Sequence, residues 1–427
     1  MNIIDFTIEN FKSYREETTF TFEALDSDFR DENLFTARLE DGSELRLLKS
    51  AALYGANAAG KSNIIWALKA LSYFVKNSRE FPVDYLIPFE PYRWDHNGDD
   101  TRLALRFVTR GEIYRYTVSY NSRAFTSEEL NRIEKGREVS IFRKVPGRVS
   151  IGEGWRSTSL DLSNIEFLPN HLLLSEMAVR EKNDLQHIYL AMAGMTVEPL
   201  LNVINIHDRN VRVSREILSG HESELFGRLQ ALMRISDLGI VGLEMKAHGD
   251  DEFQFPDSVP TEIRRQIIDN NRWEFNTFHK DCDDRDVKMP LEQESTGTQN
   301  LFSLGAMVLD VLGRGGFLAY DEMDVAVHPQ LFRLLIRLFH SPQSNPHNAQ
   351  ILFTTHNTII VNETDGIMRA DQIWFAEKDS SGRSSLYSAQ DFEEISISVP
   401  FERWYRMGRF GGTPNFGDVS EIMGAGR

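Results

Sequence analysis

One octapeptide limits the folds open to this 427-residue chain more than any other stretch: Gly55-Ala56-Asn57-Ala58-Ala59-Gly60-Lys61-Ser62 fits the pattern G-x-x-x-x-G-K-[ST]. Such a match carries meaning only between a strand and a helix. Both flanks are present. Residues 51–54 (AALY) are a short apolar run, and Ile64, Ile65, Leu68 and Leu71 recur after the motif at helical spacing. Glycines there let successive backbone N–H groups wrap a phosphate at a helix N-terminus, flanked by Asn57, Ala58, Ala59 and Asn63. Lys61 can reach β/γ oxygens, and the Ser62 hydroxyl can ligate Mg²⁺. The motif therefore predicts a parallel α/β sheet with this P-loop at its edge.

Nucleotide hydrolysis also needs a carboxylate for the metal and a second to polarise water. Asp321-Glu322 directly follows the apolar run FLAY at 317–320, and a parallel strand delivers its last residues to the edge where ligands bind. Asp321 is assigned to Mg²⁺, directly or through water, and Glu322 to the general base. Ser295-Thr296-Gly297-Thr298-Gln299 opens a further helical pattern, and His356 follows the run ILFT at 351–354. Taken singly, the first is an ordinary helix cap and the second a structural histidine.

Along the chain, residues 1–88 and 276–427 read as two parts of one core. Ile4, Phe6 and Ile8, then Phe20 and Phe22, alternate as in a hairpin. Residues 89–165 alternate in short runs, such as Leu103/Leu105/Phe107 and Tyr114/Tyr116/Val118/Tyr120, and predict an antiparallel β lobe. Residues 166–275 return to helical spacing and predict a helical insertion; no heptad run is long enough for a coiled-coil arm.

Composition narrows the function classes. A single cysteine, Cys282, excludes an intramolecular disulfide and fits the cytoplasm. No apolar run approaches the length of a membrane span, and no basic, then apolar, leader opens the chain. With 47 Lys and Arg against 64 Asp and Glu, the formal charge is −17, which disfavours contact with a phosphate backbone over most of the surface. Nucleic-acid binding would need a local basic patch or a partner chain. The acidic run Asp281-Cys282-Asp283-Asp284-Arg285-Asp286 reads as a solvated loop rather than a metal site.

In this order and spacing, the STGTQ segment and His356 resemble the signature motif and switch histidine of ATP-binding-cassette (ABC) ATPases. More closely, the chain resembles the SMC/RecF and overcoming-lysogenisation-defect (OLD) group, particularly stand-alone anti-phage ATPases of the RloA-like, PARIS AriA-like and Septu PtuA-like kinds. Carrying residues are Ile8-Glu9-Asn10-Phe11-Lys12-Ser13, the P-loop, Glu294 to Thr298, Tyr320 to Asp324, His328-Pro329 and Thr355-His356-Asn357. Gln372 to Phe375 with Glu377 to Asp379, and Gly408 to Gly411 with Pro414, resemble the tail of RloA-type members.

The resemblance implies ATP and Mg²⁺ as cofactors and a head-to-tail pair in which Ser295 and Gly297 of one chain cover the γ-phosphate held by the other. It implies catalytic roles for Lys61, Glu322 and His356. It also implies a separately encoded effector, a TOPRIM-type nuclease, and a phage-encoded trigger. Thr296 stands where relatives carry a second glycine, and Met323 to His328 departs from their usual segment; Gln186 is one candidate for the Q-loop glutamine and also reads as a surface helix residue. Only 71 residues follow His356, and they lack an Asp-x-Asp, so no nuclease module is expected there. The alternatives are a RecF-like DNA-repair clamp and an ATP-stabilised scaffold.

Overall fold

The computed structural model describes residues 1–27, 29–94, 98–155, 167–178, 185–199, 213, 224–236, 239–256, 258–361, 366–392 and 401–411. Its centre is a six-stranded sheet in the order Thr196–Glu198, Phe317–Tyr320, Gln350–Thr354, Ser50–Gly55, Ile373–Lys378 and Ser384–Ser388. The first five strands run parallel and the last is antiparallel to its neighbour. Every residue of Ser50–Gly55, Phe317–Tyr320 and Gln350–Thr354 is buried, as expected for strands covered on both faces.

The two-residue period sends alternate side chains into two separate cores. Ala51, Leu53, Phe317, Ala319 and Leu352 join the P-loop helix Lys61–Asn77 through Ile64, Leu68 and Leu71. Ala52, Tyr54, Leu318, Tyr320 and Phe353 face the helices Thr296–Arg314 and Pro329–His340 through Leu304, Val308, Phe332 and Ile336. The longest described helix is Thr296–Arg314, with 19 residues; no long coiled coil occurs among the described residues.

A seven-stranded antiparallel sheet lies against the other side of the P-loop helix and shares its core through Phe6, Ile8, Leu103, Leu105 and Tyr116. Its order is Arg148–Ile151, Arg137–Val145, Phe125–Glu134, Glu112–Tyr120, Thr101–Thr109, Asn2–Glu9 and Thr18–Thr21. The N-terminal hairpin is thus continuous with the 89–165 lobe, not with the parallel core. Asn2–Glu9 pairs with Thr101–Thr109 along its whole length, so a boundary at residue 88 cuts through one sheet.

The 166–275 region also departs from a purely helical insertion. It contains helices Leu173–Met177, Gln186–Ala193, Glu224–Ile235 and Thr261–Asn271. It also supplies Thr196–Glu198 to the central sheet, and Ile240–Ala247 and Trp273–Lys280 to a three-stranded antiparallel sheet completed by Asp286–Pro290. Three residues are too few for a periodic signal, so pairing with Phe317–Tyr320 could not be read locally. Pro414 lies outside the described residues. Among the described residues no helix is long and apolar enough to cross a membrane.

Candidate nucleotide site

Three backbone positions shape the P-loop. Gly55, Ala58 and Gly60 have φ of 152°, 63° and 115°. A Cβ on Gly55 would stand 2.5 Å from the Ala376 carbonyl oxygen, and one on Gly60 would stand 2.5 Å from Ser384 Oγ. Side-chain atoms cannot be added at either glycine without moving a neighbour. Ser384 Oγ donates to the Ala59 carbonyl at 2.6 Å and lies 2.7 Å from Ser13 Oγ, which in turn accepts from Asn63 Nδ2 at 2.7 Å. The loop is therefore braced by the Ile8–Ser13 motif on one flank and by the last strand of the central sheet on the other.

Asn10 and Lys12 explain the rest of that motif. Asn10, with φ of 50°, accepts from the Tyr92 N–H and donates to the Asp99 carbonyl. Lys12 pairs with Glu90 at 2.8 Å and stands over the Trp66 ring. Both tie the start of the chain to the segment that leads into the antiparallel sheet.

Lys61 Nζ donates to the Gly55 and Ala56 carbonyls at 2.8 and 3.0 Å. Its burial lowers the ammonium pKa, against the opposing pull of Asp321, Glu322 and Asp324. Ser62 Oγ stands 3.1 Å from Asp321 Oδ1, and the same oxygen accepts from Thr354 Oγ1 at 2.6 Å. Thr354 also receives the Glu322 N–H at 2.7 Å, so one hydroxyl orients both acidic residues. Hydroxyl and carboxylate oxygens converging at a fixed point are the hard donors that Mg²⁺ takes, so the residues fit the ion.

Glu322 occupies the left-handed region at φ 50°, a conformation that recurs at functional sites. Burial and the neighbouring Asp321 raise its carboxyl pKa, while Lys61 opposes the rise. Partial burial, then the Lys61 charge, lowers the His356 imidazole pKa. Lys61, Asp321, Glu322, Asp324 and His356 thus form one electrostatic group. Asp324 Oδ1 is buried with no hydrogen-bond partner among the described residues.

Ser295 and Gly297 are placed differently. Ser295 caps Thr296–Arg314, its Oγ accepting from the Thr298 N–H at 3.2 Å. A Cβ on Gly297 would stand 2.9 Å from the Ala326 carbonyl, and Asn300 Nδ2 donates to the Val325 carbonyl. The cap rests on the loop after Glu322 in its own chain. His328 caps the next helix through Nδ1, which accounts for the His-Pro pair structurally. Gln186 is exposed at the start of its helix, as the surface reading expects.

Sequence reasoning missed the bracing by Ser384, the bridge by Thr354 and the buried Glu198, whose carbonyl accepts the Asp321 N–H at 3.0 Å. All three depend on long-range strand neighbours and have no local pattern. The Asp281–Asp286 run is an exposed turn: Asp281 Oδ1 accepts from its own loop's N–H groups, and Lys280 pairs with Asp286. Among the described residues no cluster of three metal-ligating side chains occurs.

Solved structures similar to the chain include an Smc head bound to the C-winged helix domain of ScpA, 13% identical over 91% of this chain and 98% of that one, with TM-score 0.48. The SMC head domain from Thermotoga maritima is 14% identical over 91% and 99%, with TM-score 0.41. An Smc head with an extended coiled coil bound to the C-terminal domain of ScpA, derived from Pyrococcus furiosus, is 12% identical over 96% and 99%, with TM-score 0.39. No curated protein matches the sequence. A family model described as "AAA domain, putative AbiEii toxin, Type IV TA system" matches residues 50–362, a span that begins at the P-loop strand and closes beyond His356. Since that span takes in most of the chain and both halves of the nucleotide site, the protein belongs to this AAA-domain family.

Proposed function

We propose that this chain is a Mg²⁺-dependent, ABC-type ATPase that works as a head-to-tail pair and couples its nucleotide state to a separately encoded effector in anti-phage defence. The observation that carries the ATPase reading is the bonded set Ser62–Asp321–Thr354–Glu322 beside Lys61. Lys61 and the P-loop amides bind the phosphates; Ser62 and Asp321 would hold Mg²⁺, which neutralises phosphate charge when bound. Glu322 accepts a proton from the attacking water, and His356, held towards its neutral form, lies within electrostatic reach of Lys61 and Asp321.

Ser295 and Gly297, at the N-terminus of Thr296–Arg314, are assigned to the γ-phosphate on the opposite protomer, because a helix N-terminus favours such an anion. The effector, a TOPRIM-type nuclease, and its phage-encoded trigger follow from the family resemblance. ATP can govern such a partner because closing a two-chain site binds one conformation better than the other.

The test is ATP binding and turnover in purified variants. Lys61→Ala should weaken ATP binding, whereas Glu322→Gln should retain binding and lose turnover by about 100-fold or more. Wild-type turnover in Glu322→Gln would remove Glu322 from this role. Pull-down of partners from the native host with Glu322→Gln and Lys61→Ala should give opposite shifts in effector retention; identical retention would sink the coupling.

A further inference from the structure

Glu294 stands one residue before the Ser295 cap, and its side chain is only 8% exposed. Its Oε1 lies 2.5 Å from Thr277 Oγ1 and 2.6 Å from His279 Nε2. The main chain is held as well: the Glu294 N–H donates to the Leu291 carbonyl, and the Glu294 carbonyl accepts from Gln299 Nε2 at 2.9 Å. Thr277 and His279 belong to Trp273–Lys280, the middle strand of the three-stranded sheet, and share a face with Phe275. The Phe275 ring meets Phe302 of the helix that Ser295 caps, with centroids 5.0 Å apart. One face of one strand therefore grips both the first turns of that helix and the residue leading into it.

The aromatic contact and the buried face of the helix set where its body lies, whereas the residue leading into the exposed cap is held by hydrogen bonds. Hydrogen bonds to a carboxylate are short and directional, so they fix orientation. A phosphate on a facing chain is reached only if the cap's hydroxyl and free N–H groups point at it within a fraction of an ångström. We propose that Glu294, held by His279 and Thr277, is a positioning latch that sets the Ser295–Gly297 cap for hydrolysis on the opposite protomer. The latch makes the three-stranded sheet the element through which the cap's orientation is controlled. It rests on the two-chain site proposed above, and it adds three residues and a control element to that site.

The test uses full-length chains and trans complementation. Glu294→Ala should keep ATP affinity within about twofold, because the P-loop is untouched, and lose turnover by about tenfold or more, the effect of one lost charged hydrogen bond. Glu294→Gln keeps an acceptor oxygen and should recover turnover to within about threefold of wild type. Co-expressing Glu294→Ala with Lys61→Ala should restore part of the turnover, as should Ser295→Arg with Lys61→Ala, since each mixed pair retains one intact site. If Glu294→Ala fails to fold, His279→Phe, which keeps a ring and removes the donor, carries the same assay.

Wild-type turnover in the folded variant would overturn the latch. So would a defect that Lys61→Ala cannot complement while it does complement Ser295→Arg, because the damage would then lie in the chain's own P-loop half. Failure of the Ser295→Arg pair as well would sink the two-chain site, and the latch with it.

Discussion

His340 shows how a single buried side chain can tie the fold to pH. Its Nε2 lies 2.8 Å from Ser50 Oγ, a hydroxyl that also accepts from Gln372 Nε2 and stands within donating reach of Met368 Sδ. Complete burial, with Lys49, Arg30 and Arg337 nearby, lowers the pKa from 6.5 to about 3. Between those values the unfolded chain binds a proton that the native chain refuses, so stability falls as pH drops through the window. The loss approaches about 1.4 kcal/mol per pH unit below 6.5. Unfolding free energies from urea titrations at pH 7 and pH 5 should therefore converge in His340→Gln relative to wild type, by about 2 kcal/mol. An unchanged pH dependence would place the protonation penalty elsewhere.

Among elements, the antiparallel sheet is joined to the short helix Leu173–Met177 and the segment before it by two buried ionisable side chains of opposite sign. Glu128 and Lys144 are register partners on adjacent strands. Glu128 accepts from Tyr116 Oη and from the Leu173 and Leu174 N–H groups, while Lys144 donates to the His171 and Leu168 carbonyls. Burial raises the Glu128 pKa and lowers that of Lys144, and each charge opposes the other's shift. Glu128→Ala strands an ammonium in the core and should destabilise by about 3–5 kcal/mol. Glu128→Gln with Lys144→Met should recover much of that in a denaturation series; a double variant no better than Glu128→Ala would mean that the pair does not act as a unit. None of this is legible in the sequence, because the two residues meet only through the pairing of adjacent strands. The P-loop, Asp321-Glu322 and the Ser295 cap were legible because their chemistry is written within a few consecutive residues. Ser384, Thr354 and Glu198 were not, because their positions are set by strands far away in the chain.

At the scale of the whole molecule, the strand order of the central sheet sets the sequence of events during synthesis. Ser50–Gly55 leaves the ribosome early, yet its two neighbours are Gln350–Thr354 and Ile373–Lys378. Until residue 378 has been made, the strand that presents the P-loop has an apolar, unpaired edge on at least one side, the form most open to misassembly. The seven-stranded sheet pairs residues within 2–151 and has no such wait. A chain stopped after residue 340 contains the complete P-loop and both acidic residues, and it should bind no ATP in a fluorescent-nucleotide assay. Binding by that fragment would mean that the loop needs neither flanking strand. For the living cell, the loop is then a late checkpoint of translation: the strands that frame it are complete only once residue 378 has been made, and a product interrupted earlier should be silent.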